Sequence, residues 1–247
     1  MLRGLRSFQA QKGWLLVVVL SLAAAACMPA ATPAPTPMPP SPTAPPPTPR
    51  PTATPVPPSP TPPPPTSATK AADLRVALNR LLQEHVVLAA AATGAALGKR
   101  DAEFKAAAAA LDANSVDLSK AVGSVYGANA EKEFLHLWRE HIDFVVEYTI
   151  GLATKDKAKQ DKAIADLMAY LEEFGKFLNS ANPNLPKDAV VNLVKEHVLT
   201  LKAVIDAQAA GDANKTYRSL REAAAHMQKI ADALAEAIVK QFPDKFR

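Results

Sequence analysis

RLLQEHVV at 80–87, HLWREHID at 136–143 and NLVKEHVL at 192–199 are three versions of one segment, each 56 residues after the last. The register lays Glu84-His85 onto Glu140-His141 and Glu196-His197 without insertion or deletion. It also aligns Leu81 with Leu137 and Leu193, Ala113 with Ala169 and Ala225, and Val86 with Ile142 and Val198. A fixed period of this length marks one supersecondary unit used three times, here over 75–130, 131–186 and 187–242. The residues between the matches have drifted apart while the Glu-His pair has stayed. The pair therefore has a role tied to its place in the unit.

Working outward from the pair, the apolar residues fall at helical spacing. Phe134, Trp138, His141, Val145, Tyr148 and Leu152 are separated alternately by four and three positions, which is one face of a helix. Val190, Val194, His197, Leu201 and Val204 repeat the pattern, and Leu78, Leu82, His85 and Ala89 begin it in the first unit. Breaks follow at Gly98, at Thr154-Lys155-Asp156 and at Gly211-Asp212. Second helices are expected to run over about 101–125, 157–180 and 213–241. Tyr126-Gly127 and Asn182-Pro183-Asn184-Leu185-Pro186 separate the units. Short connections make neighbouring helices antiparallel, so residues 71–247 are predicted to form an all-α fold, a six-helix bundle of three 56-residue hairpin repeats.

At 3.6 residues per turn each His falls on the apolar stripe and the preceding Glu well off it. Two accounts of the His residues follow. In one, each imidazole is a core residue hydrogen-bonded to a carboxylate or carbonyl, and fixes the register of similar hairpins. In the other, the first helices of the three units run parallel on the inside of the bundle and His85, His141 and His197 converge. Three imidazoles then suit Zn or Cu with an open fourth position, with Glu84, Glu140 and Glu196 supporting them from neighbouring units.

The remaining His residues are less regular. Glu133-x-x-His136 resembles the element that di-iron carboxylate bundles use, but Arg80 and Asn192 stand at the equivalent positions, which disfavours such a site. His226 aligns with Asn114 and Tyr170 and reads as a polar edge, so both His136 and His226 are expected in solvent. The chain has no Gly-rich phosphate loop, no Gly-x-Ser-x-Gly elbow and no Cys nucleophile. Trp138, Phe144 and Tyr148 make the middle unit the most aromatic, either as a core centre or as one wall of an apolar pocket.

The N-terminal third is of another kind. Arg3, Arg6 and Lys12 precede a short apolar run from Trp14 to Leu22 and then Ala24-Ala25-Ala26-Cys27. Residues 1–27 therefore read as a lipoprotein signal peptide with Cys27 as the acylated residue of a lipobox, the alternative being plain secretion. Cys27 is the only cysteine, so no intramolecular disulfide forms. Residues 28–70 hold 20 of the 23 prolines among Thr, Ser and Ala, which predicts a disordered, extended stalk rather than a core. At about 3.1 Å per residue, such a stalk reaches on the order of 100 Å. The basic pI is misleading: residues 1–70 carry five basic and no acidic residues, leaving 23 basic against 24 acidic ones in 71–247. That balance excludes a nucleic-acid footprint.

Tyr126-Gly127, Glu133-Phe134 with Glu140-His141, Asn179-Ser180-Ala181-Asn182-Pro183, Glu196-His197 and the ending Ile238-Val239-Lys240-Gln241-Phe242-Pro243 carry a further signal. Together they resemble an uncharacterised group of exported all-helical proteins of Gram-positive bacteria with repeated Glu-His motifs. The resemblance covers most of 75–243 and implies an exported helical module, with no activity or site residue attached. The expectation is a module lipid-anchored through Cys27 on the outer face of a bacterial cytoplasmic membrane. Its expected role is non-catalytic binding or structure, with a cell-envelope protein or a small ligand as partner. An extracytoplasmic Cu/Zn-binding protein is the alternative, and a metal-dependent enzyme the third reading.

Overall fold

The computed structural model describes residues 69–247. The expected signal peptide, Cys27 and all but the last two residues of the 28–70 stalk lie outside the described residues. Six helices follow in chain order: α1 (Lys70–Leu97), α2 (Asp101–Tyr126), α3 (Ala128–Ala153), α4 (Lys157–Ala181), α5 (Lys187–Ala209) and α6 (Ala213–Gln241), with a closing 3-10 turn at Pro243–Lys245. Among the described residues there is no strand.

Local chemistry sets these boundaries. Thr69 accepts a hydrogen bond from the Ala72 amide, Asp156 from Lys159 and Asp212 from Lys215, so each of these side chains caps the first turn of its helix. The three hairpin loops share one geometry. Lys99, Lys155 and Gly211 occupy the same register position and all have φ > 0, at 56°, 56° and 71°. In each loop the next residue's amide reaches back to the carbonyl of Ala95, Gly151 or Ala207, which closes the helix end with the paired bonds of a Schellman cap. Only the third unit places a glycine at this left-handed position.

Each helix packs against its chain neighbours, α6 closes on α1, and α1, α3 and α5 also touch one another. The odd-numbered helices therefore form the centre and the even-numbered ones an outer set, as the hairpin periodicity predicts. One end of the bundle is tied shut by polar groups. The Tyr126 hydroxyl donates to Gln241 at 3.0 Å and accepts from the Asn182 amide at 3.0 Å, while the Gln241 amide donates to the Ala181 carbonyl at 3.0 Å. Tyr126 and Asn182 lie 56 residues apart, so equivalent ends of α2 and α4 meet here. The core above is Leu, Val, Ala and aromatic side chains, with Leu82, Val86, Val204, Ile205 and Met227 buried to 2% exposure or less. No described helix is long and apolar enough to cross a membrane.

A single residue, Gly127, links α2 to α3, with φ 89° and ψ 172°. That region of backbone space is open essentially to glycine alone. Gly127→Ala is expected to cost about 1–3 kcal/mol through strain rather than lost contacts, since an added Cβ would meet no neighbour within 4 Å. Urea unfolding of the variant should show a lower midpoint with an unchanged slope. An unshifted midpoint would mean that the turn relaxes freely.

Candidate metal centre

His85, His141 and His197 each sit midway along a central helix, at the fourth or third position after an apolar residue that faces the axis. Because α1, α3 and α5 run parallel and touch, equivalent positions on them come to one level. The structure brings the three imidazoles together: ring centroids are 5.4 Å apart for His85–His141, 5.7 Å for His85–His197 and 6.4 Å for His141–His197. One nitrogen from each ring lies within 4.8 Å of the others, and all three residues are buried. A metal held at about 2.0 Å by three imidazoles draws their nitrogens to about 3.4 Å from one another. The trio is thus open by up to about 1.4 Å relative to a ligated set.

Hydrogen bonding does not explain these side chains. Both ring nitrogens of His85, and Nδ1 of His141 and of His197, are buried without a hydrogen bond of good geometry, the Trp138 backbone making only a weak approach to His141. Buried polar atoms are ordinarily hydrogen-bonded, and an unpartnered one costs about 1–3 kcal/mol. The account in which each imidazole is satisfied by a carboxylate or carbonyl therefore fails at His85 altogether. Trp138 fills the level instead. Its ring lies 4.8 Å from that of His85 and 4.6 Å from that of His141, while Tyr170 stacks on His141 at 5.5 Å. The Trp138 Nε1 and the Tyr170 hydroxyl are buried and unpartnered as well.

The three glutamates stand elsewhere. Glu84 and Glu196 are exposed and Glu140 is half-buried. Glu84 accepts from the Asn114 amide at 3.0 Å and pairs with Arg80 at 3.5 Å, and among the described residues no glutamate hydrogen-bonds an imidazole. The expectation that a carboxylate of one unit supports the imidazole of another is corrected accordingly. The glutamate lies too far round the helix, and in the first unit it turns to its own hairpin partner. Asn114, Tyr170 and His226 occupy equivalent places on α2, α4 and α6 and line the outside of the layer. Asn114 donates to the Leu81 carbonyl at 3.0 Å, and His226 Nε2 meets the equivalent Leu193 carbonyl at 2.8 Å. His226, expected in solvent, is buried, whereas His136 is exposed as expected.

Reading Asn114, Tyr170 and His226 as an edge missed a signal that was present. Leu111, Asn114 and Leu118, or Leu167, Tyr170 and Phe174, keep the spacing of a buried stripe. All of these residues are buried.

Beneath the layer lies a cavity of about 80 Å³, lined almost wholly by apolar side chains. His141, His197 and Trp138 form its roof, Phe174 and Leu82 part of its wall, and Tyr126 and Asn182 its floor. On the other side, against Val145, Tyr148 and Leu201, the void is only about 10 Å³, at the lower limit for one water. The surroundings keep the imidazoles neutral. Burial, then the nearness of His141 and His197, pushes His85 well below the ordinary imidazole value. Burial and His197 push His141 down to about 3, against a smaller opposing pull from the Trp138 backbone. Burial and His226 push His197 down to about 4. Three neutral rings with free lone pairs are what a metal requires.

The same neutrality makes the empty site sensitive to acid. Above pH 6.5 neither the folded nor the unfolded chain protonates these imidazoles, so they leave stability independent of pH. Below 6.5 the unfolded chain takes up protons that the folded one refuses, and stability falls by about 1.4 kcal/mol per pH unit for each ring. Three rings give about 4 kcal/mol per unit until the folded values are reached, enough to exhaust an ordinary domain stability. The metal-free protein is expected to lose most of its stability between pH 6.5 and 4.5, as read from urea midpoints at successive pH values. A flat profile over that range would show that the rings are not held neutral.

Comparison of the chain with protein-family models, with curated proteins and with solved structures finds no match, so the chemistry of the centre rests on its own geometry.

Proposed function

We propose that the protein is a metal-binding module of the bacterial cell envelope, with His85, His141 and His197 as its ligands. One observation carries the reading: three buried imidazoles share a level with one nitrogen from each within 4.8 Å of the others, and four of their six ring nitrogens are buried without a full hydrogen bond. Leaving them so costs stability, a cost that a site kept ready for a ligand accounts for. The lipobox-like Ala24-Ala25-Ala26-Cys27 and the proline-rich 28–70 stretch support placing the module outside the cytoplasmic membrane on a lipid anchor, where Cu and Zn are encountered.

The arrangement suits holding a metal rather than turning over a substrate. Among the described residues no carboxylate joins the imidazoles to act as a general base, and the open side faces an apolar cavity. A docking role for the outer surface has less support. Among the described residues the exposed large apolar side chains are Val76 and Val87 on α1, Leu199 on α5 and Tyr217 on α6. Scattered side chains of this kind are ordinary on a soluble surface.

The test is metal content. The protein is loaded in separate samples with Zn(II), Cu(II) and, without oxygen, Cu(I), then dialysed and analysed beside a variant in which His85, His141 and His197 are all Leu, and beside His136→Asn. One metal per chain is expected in the wild type and in His136→Asn, and none in the triple variant. Equal metal in the triple variant would contradict the assignment.

A further inference from the structure

An apolar core that takes in a metal ion must accommodate its charge. The Born penalty for leaving water grows with the square of that charge, so a divalent ion is opposed about four times as strongly as a monovalent one. Sites for Zn(II) or Cu(II) offset the penalty with thiolate or carboxylate ligands, or with a bound water that sheds a proton to become hydroxide. Among the described residues no thiolate or carboxylate joins the cluster of His85, His141 and His197. The only cysteine, Cys27, lies outside the bundle sequence. Glu84 and Glu196 are exposed, and Glu84 is engaged by Asn114. The Tyr170 hydroxyl is buried without a hydrogen-bond partner. A hydroxide on the open side would face a lining that is almost wholly apolar, with the Trp138 Nε1 and the Tyr170 hydroxyl as the unpartnered polar groups near it.

We propose that the trio is a copper(I) site, in which three neutral imidazoles bind one monovalent ion in a three-coordinate arrangement closed over by apolar and aromatic side chains. The inference rests on the metal-binding reading above and narrows it to one ion and one oxidation state. Cu(I) carries a single charge, has a filled d shell and accepts three ligands without a fourth, so it needs neither an anion nor a water in the core. Imidazole is a competent ligand for copper. Trp138, whose ring lies within 5 Å of two of the three imidazole centroids, gives a cation at this level an electron-rich indole neighbour that Leu82 and Val194, its equivalents in the other units, do not provide.

The full chain, purified without oxygen and stripped of metal, is offered Cu(I) as its preformed acetonitrile complex in competition with bicinchoninate. Zn(II) and Cu(II) are offered in parallel, and the copper form is measured by X-ray absorption. The expected result is one Cu(I) per chain that withstands the competitor, an absorption edge of three-coordinate Cu(I) with nitrogen ligands only, and Zn(II) and Cu(II) lost on dialysis. His85→Leu, which fills the space of the ring, should lose the copper and remain folded by circular dichroism. Retention of Zn(II) or Cu(II) in preference to Cu(I) would overturn the copper(I) assignment and leave the three-His metal site standing. Retention of no metal, or of Cu(I) undiminished in His85→Leu, would overturn both.

Discussion

Three imidazoles buried side by side without partners are the constraint from which the rest of the molecule follows. Polar rings brought this close in an apolar core are tolerated only when the backbone around them is fixed by something else. Here that is the mutual contact of α1, α3 and α5, each carrying its histidine at the same height. The outer helices bond to the central ones through equivalent reaches across the first and third hairpins. Asn114 bonds the Leu81 carbonyl and His226 the Leu193 carbonyl, while Tyr170, at the same position in the middle unit, is committed to stacking on His141 instead. The middle unit thus gives up the shared hydrogen bond and supplies, with Trp138, the aromatic walls of the centre. Three similar units have become an asymmetric site by changing two residues in one of them.

The fold was legible because its signals are local and reinforce one another. A period of 56 residues, apolar positions alternating by four and three, and a turn at the same place in every unit predict the helix ends to within a residue for α2, α4 and α6. The left-handed residue at 99, 155 and 211 shows why the turn recurs: the same paired hydrogen bonds close each helix, and only Gly211 advertises it in sequence. The convergence of the histidines was one of two readings the sequence left open: it shows equivalent positions, and only the mutual contact of α1, α3 and α5 brings them together.

Partners across helices were not legible. Helical spacing places Glu84 off the apolar stripe but does not say what it faces, and it faces Asn114 rather than an imidazole. His226 was read through its alignment with two polar residues, and polarity suggested solvent. Its burial depends on a main-chain carbonyl of the neighbouring helix, which no side-chain pattern displays. The missing partners of His85 were equally invisible, because they are a property of the space between three helices. That space is also where the sequence's two function readings part, since a satisfied histidine and a waiting one look alike in a row of letters.

The central claim is that His85 is kept at the expense of stability for the sake of a ligand, and its most direct test is the unfolding free energy of metal-free His85→Leu. Leucine has about the same volume and removes two buried, unpartnered nitrogens. Replacing an unsatisfied polar group by an apolar one is neutral or stabilising, so the variant should match or exceed the wild type at pH 7. A loss of about 1–3 kcal/mol would show that the imidazole has partners after all and serves the fold itself.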